Sequence, residues 1–337
     1  MITVNELSKK YARNLAVDRI SFAVGKGEIV GFLGPNGAGK TTTMRMLTCF
    51  LPPTSGSATV AGFDVLENPL EVKRRIGYLP ESPPLYPEME TSEYLAFVGK
   101  LKGLRGEDLR RRVDYVCERC NIAEVRNKLL GKLSKGFRQR VGLAQAIIHN
   151  PEVLILDEPT AGLDPKQINE TRDLIKLLAG DHTIILSTHI LPEVEQTCEK
   201  VIIINHGKLV ATDSVHNLQN RARGGESILI EMSNREGALD VQSVQQRLEQ
   251  IAGPHAVSAR PTREGAYAFS VEGGKDLVRG DLARAVVHSG WDLNEMRPTA
   301  MSLEEVFLDL TKEEMPAISE PSAPAQPTSP SGEEPRP

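Results

Sequence analysis

Short apolar runs alternate with longer amphipathic stretches over the first two thirds of the chain. The runs at residues 28–33, 153–156 and 183–187 contain few polar side chains. Runs of this length without alternation are typical of strands that are buried on both faces of a parallel sheet. Helical patterns follow at residues 40–51 and 165–178, so the order of strand and helix predicts an α/β domain.

Weaker strand patterns and one long helical region complete this part of the chain. The strand patterns lie at residues 3–7, 21–24, 57–60 and 76–79. Residues 92–148 are mostly helical in pattern and rich in charge. We therefore expect an α/β domain over residues 1–220 that carries a helical subdomain at about residues 88–148.

The order of predicted strands and helices changes after residues 221–225. This link is polar and glycine-rich, as is common at a domain boundary. The order that follows is β-α-β-β-α-β, which predicts a small ferredoxin-like α+β domain at residues 226–312. Residues 313–337 are rich in Pro, Ser, Ala and Glu, and we expect a disordered tail there. The predicted elements lie at residues 228–232, 241–251, 256–259, 267–271, 275–289 and 291–296.

Composition narrows the possible classes of protein. The 337 residues carry 40 Lys and Arg against 45 Asp and Glu, a net charge of −5. Mild acidity argues against binding to nucleic acid through phosphate contacts, so we expect no nucleic-acid partner. The arginines at residues 110–112 lie among acidic residues and favour a solvated helix face. No apolar run approaches the roughly 20 residues of a membrane span, and no signal peptide is expected.

Two of the four cysteines, Cys117 and Cys120, form a C-x-x-C pair. Such a pair can be a redox site or half of a zinc site, but zinc needs about four ligands. Neither Cys49 nor Cys198 has a neighbouring Cys or His that would complete a set. We expect two partly buried thiols in a reducing environment.

A glycine-rich segment follows the first apolar run. Residues 34–41 read Gly-Pro-Asn-Gly-Ala-Gly-Lys-Thr and match G-x-x-x-x-G-K-[ST] between a strand and a helix. The glycines let backbone N–H groups point at phosphate oxygens, and the helix N-terminus adds partial positive charge. Lys40 would place its charge on the β and γ phosphates, and Thr41 would offer a hydroxyl to Mg²⁺. The motif predicts a nucleoside triphosphate site, which kinases, GTPases and motors share.

Two carboxylates, Asp157 and Glu158, end the apolar run at residues 153–156. A strand beside the phosphate loop would bring Asp157 to the Mg²⁺ ion and point Glu158 at the γ phosphate, where it can polarise a water. The alternative to a catalytic role is that an acidic residue here only caps a helix that follows the strand. The phosphate loop upstream favours the catalytic interpretation.

Four further segments complete an ordered set of motifs. Residues 133–137 read Leu-Ser-Lys-Gly-Phe, residues 159–164 read Pro-Thr-Ala-Gly-Leu-Asp, residues 187–189 read Ser-Thr-His, and Tyr11 lies well upstream. Over about residues 2–220, this set resembles the nucleotide-binding domain of ABC transporters. The resemblance implies a P-loop NTPase fold, with ATP hydrolysed between two subunits that drive a separate permease.

The resemblance also implies a role for each motif residue. The catalytic residues would be Glu158 as general base, His189 as the switch histidine and Lys40 at the phosphates. Thr41, Glu81 and Asp157 would hold Mg²⁺. Ser134 and Gly136 would touch the ATP of the other subunit, and Asp164 would link the two sites. The residues that would hold ATP are Tyr11 (stacked on adenine), Gly34, Pro35, Asn36, Gly37, Ala38, Gly39, Lys40, Thr41, Thr42, Ser134, Gly136 and Asp164.

Two positions depart from the family pattern. The signature is usually Leu-Ser-Gly-Gly-Gln, whereas Lys135 and Phe137 stand here in place of Gly and Gln. Glu81 stands where the family usually has Gln. Both departures resemble ATPase subunits of bacterial exporters, most closely the gliding-motility and multidrug subgroup.

Partners and location follow only from the resemblance. It implies a second ATPase subunit, as a homodimer or a heterodimer, and a multispan permease at the cytoplasmic face of the membrane. Residues 83–87 would meet that permease, unless they form only a rigid surface loop. A small-molecule kinase and a non-transport ABC ATPase that acts on nucleic acid or ribosomes are the rival functions. Neither the cargo nor the direction of transport can be inferred from these motifs alone.

Overall fold

A computed structural model describes residues 1–221, 227–234, 239–253, 257–263, 266–272, 279–299 and 307. Over residues 1–221 the strands are β1 (Ile2–Tyr11), β2 (Asn14–Val24), β3 (Ile29–Leu33), β4 (Ser55–Val60), β5 (Phe63–Asp64), β6 (Ile76–Leu79), β7 (Val153–Asp157), β8 (Thr183–Thr188), β9 (Lys200–Asn205) and β10 (Lys208–Ser214). The helices are α1 (Lys40–Leu47), α2 (Pro69–Arg75), α3 (Thr91–Leu101), α4 (Gly106–Arg119), α5 (Lys135–Ile147), α6 (Pro165–Leu178), α7 (Leu191–Thr197) and α8 (Val215–Arg221).

A six-stranded sheet carries the predicted buried strands, in the order β10-β9-β3-β8-β7-β6. Every residue of β3, β7 and β8 is buried, as the apolar runs predicted. The pairs from β9 to β6 are parallel, but β10 joins β9 antiparallel. The apolar runs predicted the parallel strands and gave no indication of this antiparallel edge strand. A tight turn through His206 and Gly207 lets β10 fold straight back, and parallel strands need a longer crossover.

A separate antiparallel sheet, in the order β2-β1-β4-β5, holds three of the weaker predicted strands. The sequence pattern did not indicate that these strands form a sheet of their own. Strands β1 and β2 are joined by only two residues, which permits antiparallel pairing alone. Buried and exposed residues largely alternate along both strands, as expected where one face of a sheet packs against the core and the other faces solvent.

Helix α1 begins at the predicted residue but ends at Leu47, four residues early. Cys49 has φ +56°, in the left-handed region, and Pro52 and Pro53 follow. Both features stop a helix. On the buried face of α1, Met44, Met46 and Leu47 pack between the two sheets.

The helical region contains α3, α4 and α5, with two 3₁₀ turns at Ala123–Val125 and Leu130–Lys132. Its buried side chains join those of β7 and β8 in one core. Cys117 and Cys120 are buried in that core, more deeply than predicted, and burial raises the pKa of both thiols. Arg112 also departs from the predicted solvated face, because its guanidinium donates to the carbonyl oxygens of Ile147 and Ile148.

The C-terminal part has the predicted element order and its own core. Its antiparallel sheet has the strand order β12-β13-β11-β14, which is the ferredoxin-like arrangement. Residues 222–226, 275–278 and the tail at 313–337 lie outside the described residues. The elements are β11 (Ser227–Ser233), α9 (Val241–Ala252), β12 (Val257–Arg263), β13 (Ala266–Glu272), α10 (Arg279–His288) and β14 (Asp292–Thr299).

Across the described ranges, no helix combines the length and the apolar character that a bilayer crossing requires.

Candidate active site

The phosphate loop curls between the end of β3 and the start of α1. Gly37 and Gly39 have φ of +81° and +106°, and a Cβ on Gly39 would lie 2.6 Å from the carbonyl oxygen of Ala16. Only glycine fits the second position. Lys40 is the first residue of α1, and its Nζ donates to the carbonyl oxygens of Gly34 at 2.8 Å and Pro35 at 3.2 Å. The loop thus folds around the ammonium group.

The hydroxyl of Thr41 reaches the acidic end of β7. Its Oγ1 donates to Oδ1 of Asp157 at 3.2 Å, and the Oγ of Ser187 donates to the same oxygen at 2.5 Å. Ser187 lies on the neighbouring strand β8 and also accepts a hydrogen bond from the backbone N–H of Glu158 at 3.2 Å. One buried serine therefore fixes both acidic residues, a role that sequence reasoning missed. The tripeptide at 187–189 could have indicated it.

Glu158 lies between a lysine and a histidine. Its Oε1 is 3.3 Å from Nζ of Lys40, and its Oε2 is 2.9 Å from Nδ1 of His189. The backbone at Glu158 has φ +49°, an uncommon conformation for a residue with a side chain. Strain of this kind is often kept where a side chain must point in a functional direction. The three predicted catalytic residues thus lie in one cluster.

Asp157 is buried, and burial raises its carboxyl pKa. Hydrogen bonds from Ser187 and Thr41 act in the opposite direction, whereas the charges of Glu158 and Glu81 raise the pKa further. The site holds carboxylates close together beside a hydroxyl, so the negative charges of the carboxylates repel one another. A hard divalent cation would relieve that repulsion. Mg²⁺ prefers such oxygen ligands and needs only one or two carboxylates beside phosphate. The donor set therefore fits the predicted ion.

The cluster opens into a cavity of about 260 Å³. Glu81 is exposed at this cavity, so the structure brings it to the other predicted metal ligands. Gly34, Pro35 and Ala38 belong to the loop but do not line the cavity. The lining residues are Ala16, Asn36, Gly37, Gly39, Lys40, Thr41, Thr42, Glu81, Glu158, Ala161 and His189.

The predicted signature residues lie elsewhere, at the start of helices outside this cavity. Ser134 is the N-cap of α5 and accepts from the N–H of Phe137, while Asp164 is the N-cap of α6. The two helix starts are adjacent, because a Cβ on Gly136 would lie 2.7 Å from the side chain of Gln167. Ser134 and Asp164 are exposed.

Tyr11 ends β1 and is also outside the cavity lining. Its side chain is 42% exposed, and Nζ of Lys9 lies 5.6 Å from the ring centroid. The exposure does not suit the alternative of a packed strand-end residue. The adenine role remains a prediction.

A larger cleft of about 450 Å³ lies beside the loop that carries Glu81. Pro80, Ser82 and Pro84 are among the residues that line it, and so is Phe50, which is 73% exposed. The cationic side chains in the lining are Arg45, Lys73 and Lys102, and none of the described residues that line it is acidic. The pKa of Lys102 is lowered, first by desolvation of its ammonium and then by the charge of Lys73.

Comparisons with known proteins agree with this geometry. The sequence model of a family described as "ABC transporter" matches residues 17–161. The ABC transporter ATP-binding protein NatA of Bacillus subtilis (strain 168) is 38% identical over 239 residues, which cover 69% of this chain and 97% of NatA. The bacitracin transport ATP-binding protein BcrA of Bacillus licheniformis is 36% identical over 312 residues, 92% of this chain and 97% of BcrA.

A solved structure supports the same relationship. It is titled "Structure of ATP binding subunit of ABC transporter", with a TM-score of 0.61 and 28% identity. The match covers 66% of this chain and 93% of that one. The fold predicted from the motifs, a P-loop NTPase with strands and helices in alternation, is confirmed. The gliding-motility assignment stays a prediction, since these relatives do not test it.

Proposed function

Because this chain belongs to the family of ABC transporter ATP-binding subunits, we propose that its phosphate loop, Glu158 and His189 form the hydrolytic site. The protein is an ABC ATPase, which converts ATP and water to ADP and phosphate. The observation that carries the assignment is the cluster in which one carboxylate of Glu158 contacts both Lys40 and His189.

In this proposal Glu158 acts as the general base. Its carboxylate orients a water toward the γ phosphate and accepts the proton of that water as the new bond forms. His189, held to the other carboxylate oxygen, contacts the γ phosphate, and Lys40 offsets its charge. The strained backbone of Glu158 and its N–H bond to Ser187 support this orientation.

Thr41 and Asp157 would hold Mg²⁺, with Glu81 at the cavity edge as a further oxygen ligand. The ion, when bound, would neutralise charge on the phosphates. What this chain supplies is a fixed arrangement: Ser187 holds Asp157, and Asp157 accepts from Thr41. The remaining loop residues, Gly34 to Thr42, would hold the phosphates through their N–H groups, and Tyr11 would stack on adenine.

ABC ATPases work as dimers together with a transmembrane permease. We propose that Ser134, Gly136 and Asp164 act across such a dimer, of two identical or two different chains. The support is their position at two adjacent helix starts outside the cavity of their own chain, where Ser134 and Asp164 are exposed. ATP held between two chains stabilises the closed state because it binds that state better.

The experiment is the substitution Glu158→Gln. We expect it to keep ATP binding, to trap an ATP-dependent dimer, and to lower kcat by about 100-fold or more. Size-exclusion chromatography with ATP and with ADP, and steady-state phosphate release, measure these outcomes. A variant with undiminished turnover would remove Glu158 from the role of base, and a monomer at every nucleotide would reject the shared site.

The cleft after Glu81 is the proposed docking site for a multispan permease. Its lining combines apolar residues with three cations, and no described residue in that lining is acidic. These features suit a partner segment with an apolar side chain beside a carboxylate. The loop at residues 80–84 joins this cleft directly to Glu81 and the nucleotide cavity. Docking there would couple the ATP-dependent dimer to the permease.

The relatives favour a transporter over the rival functions. BcrA is named for bacitracin transport and matches 92% of this chain. This supports an exporter rather than an ABC ATPase that acts on ribosomes or nucleic acid. We place the subunit peripherally at the cytoplasmic face of the membrane, beside its permease. Cofractionation with membranes only when the permease is co-expressed would support that location.

A further inference from the structure

The loop that carries His189 is closed by a single hydroxyl. Thr188 ends β8, and its Oγ1 accepts a hydrogen bond from the backbone N–H of Ile190 at 3.1 Å. The same Oγ1 donates to Oε2 of Glu193 at 3.0 Å. His189 therefore lies between two residues that one side chain ties together. Its backbone has little freedom to move while both bonds are made.

Glu193 is an unusual acceptor for this hydroxyl. It lies in the first turn of α7 with its N–H bonded to the carbonyl of Ile190 at 3.2 Å, and the residue is only 7% exposed. Its second oxygen, Oε1, is buried and has no hydrogen-bond partner among the described residues. A buried carboxylate with few donors lowers stability, and an apolar residue would pack at least as well. Packing alone does not account for a glutamate here.

Helix α7 is itself fixed against the strand that leads into the phosphate loop. A Cβ on Gly31 of β3 would lie 2.9 Å from the side chain of Val194 and 3.2 Å from Sγ of Cys198. Glu193 therefore stands on a helix whose distance from β3 cannot vary much. Through α7, Glu193 connects the loop that carries His189 to β3, the strand that leads to Lys40.

We propose that Glu193 is a positioning residue for ATP hydrolysis, which acts through the hydroxyl of Thr188 to hold His189 against Glu158. The carboxylate accepts a hydrogen bond from the hydroxyl, so a lone pair of the Thr188 oxygen stays available to accept from the N–H of Ile190. This fixes the backbone on both sides of His189 and keeps Nδ1 at 2.9 Å from the carboxylate of Glu158. The inference rests on the proposed role of His189.

Full-length variants test the inference. Thr188→Val removes the hydroxyl at nearly constant shape, and Glu193→Leu removes the acceptor. We expect each to lower kcat about 10-fold, because small misplacements of a catalytic group are costly, with the KM for ATP changed less than 3-fold. The double variant should be no worse than the poorer single variant. Thr188→Ser, which keeps the hydroxyl, should stay within 2-fold of wild type.

A second background separates positioning from stability. When His189 is already Ala, Thr188→Val should cause no further loss of kcat. A further 10-fold loss in that background, an unchanged kcat in both single variants, or a Ser variant as poor as Val would each overturn the inference. If Thr188→Val does not fold, as judged by circular dichroism, Thr188→Ala replaces it. Failure of wild type to hydrolyse ATP would instead reject the proposed function.

Discussion

Lys40 and Glu158 form an ion pair in which both side chains are less than a tenth exposed, with Nζ 3.3 Å from Oε1. Lys40 begins α1 and Glu158 directly follows β7, two elements that are far apart in the chain. Two further acceptors, the carbonyls of Gly34 and Pro35, satisfy the ammonium, and His189 satisfies the second carboxylate oxygen. The pair therefore has a structural role beside the catalytic role that we propose for it.

Removing only the lysine should destabilise the protein without nucleotide. We expect Lys40→Met to lower the free energy of unfolding by about 3 kcal/mol, because it leaves the carboxylate of Glu158 buried without its lysine partner. The double variant Lys40→Met with Glu158→Gln should recover most of that loss, since the charge left without its partner is removed as well. Urea denaturation of both variants measures this. If the double variant is less stable than Lys40→Met, the ion pair with Glu158 is not the source of the stability that Lys40 provides.

The sequence predicted this site better than it predicted the sheets. Lys40, Glu158 and His189 each belong to a local motif with fixed neighbours, so the motifs and the family resemblance predicted that the three residues share one site. The antiparallel pairing of β1 with β4 and of β9 with β10 depends on turns and long-range register, which apolar runs do not encode. The tripeptide at 187–189 marks Ser187 as a candidate, but the partners of Ser187 and Glu193 are known only once β7, β8 and α7 are packed together.

We expect His149 to make the folded protein less stable in acid. Its Nε2 lies 2.9 Å from the carbonyl oxygen of Ile76, and burial, assisted by the charge of Lys102, lowers its pKa to about 4. The ordinary pKa is 6.5, so below that pH the unfolded chain takes up a proton that the folded chain refuses. Stability is therefore full above pH 6.5 and falls as the pH drops toward 4, by up to about 3 kcal/mol.

Thermal unfolding at pH 7.5 and at pH 4.5, without nucleotide, measures the contribution of His149. His149→Gln keeps a donor for Ile76 but does not titrate, so its midpoint should fall less between the two pH values than that of wild type. His288, which lies on α10 and not in the cleft, provides the matched control as His288→Gln. Equal pH dependence in wild type and His149→Gln would contradict the prediction.

Tyr11 offers an exposed ring for the base of ATP. Stacking of an aromatic ring on a base is favourable by about 1–3 kcal/mol. Tyr11→Ala should therefore raise the Kd for ATP by about 5-fold or more, whereas Tyr11→Trp should not weaken binding. Fluorescence titration with an ATP analogue measures the affinities. Tyr115→Ala, which removes another partly exposed tyrosine, should leave the Kd unchanged, and an equal effect at both positions would argue against stacking.

The cleft beside Glu81 is expected to bind an acidic segment of the permease. Lys73 and Lys102 lie close enough that the charge of one lowers the pKa of the other, and a carboxylate between them would relieve that repulsion. Lys73→Glu with Lys102→Glu should therefore abolish copurification with a co-expressed permease and stimulation of its ATPase activity in membrane vesicles. Lys100→Glu, an exposed change on the same helix α3 that Lys102 follows, should preserve both. Restored copurification when an acidic residue of a permease cytoplasmic loop becomes Lys would identify the partner carboxylate. Retained copurification and stimulation in the double variant would reject the cleft as the docking site.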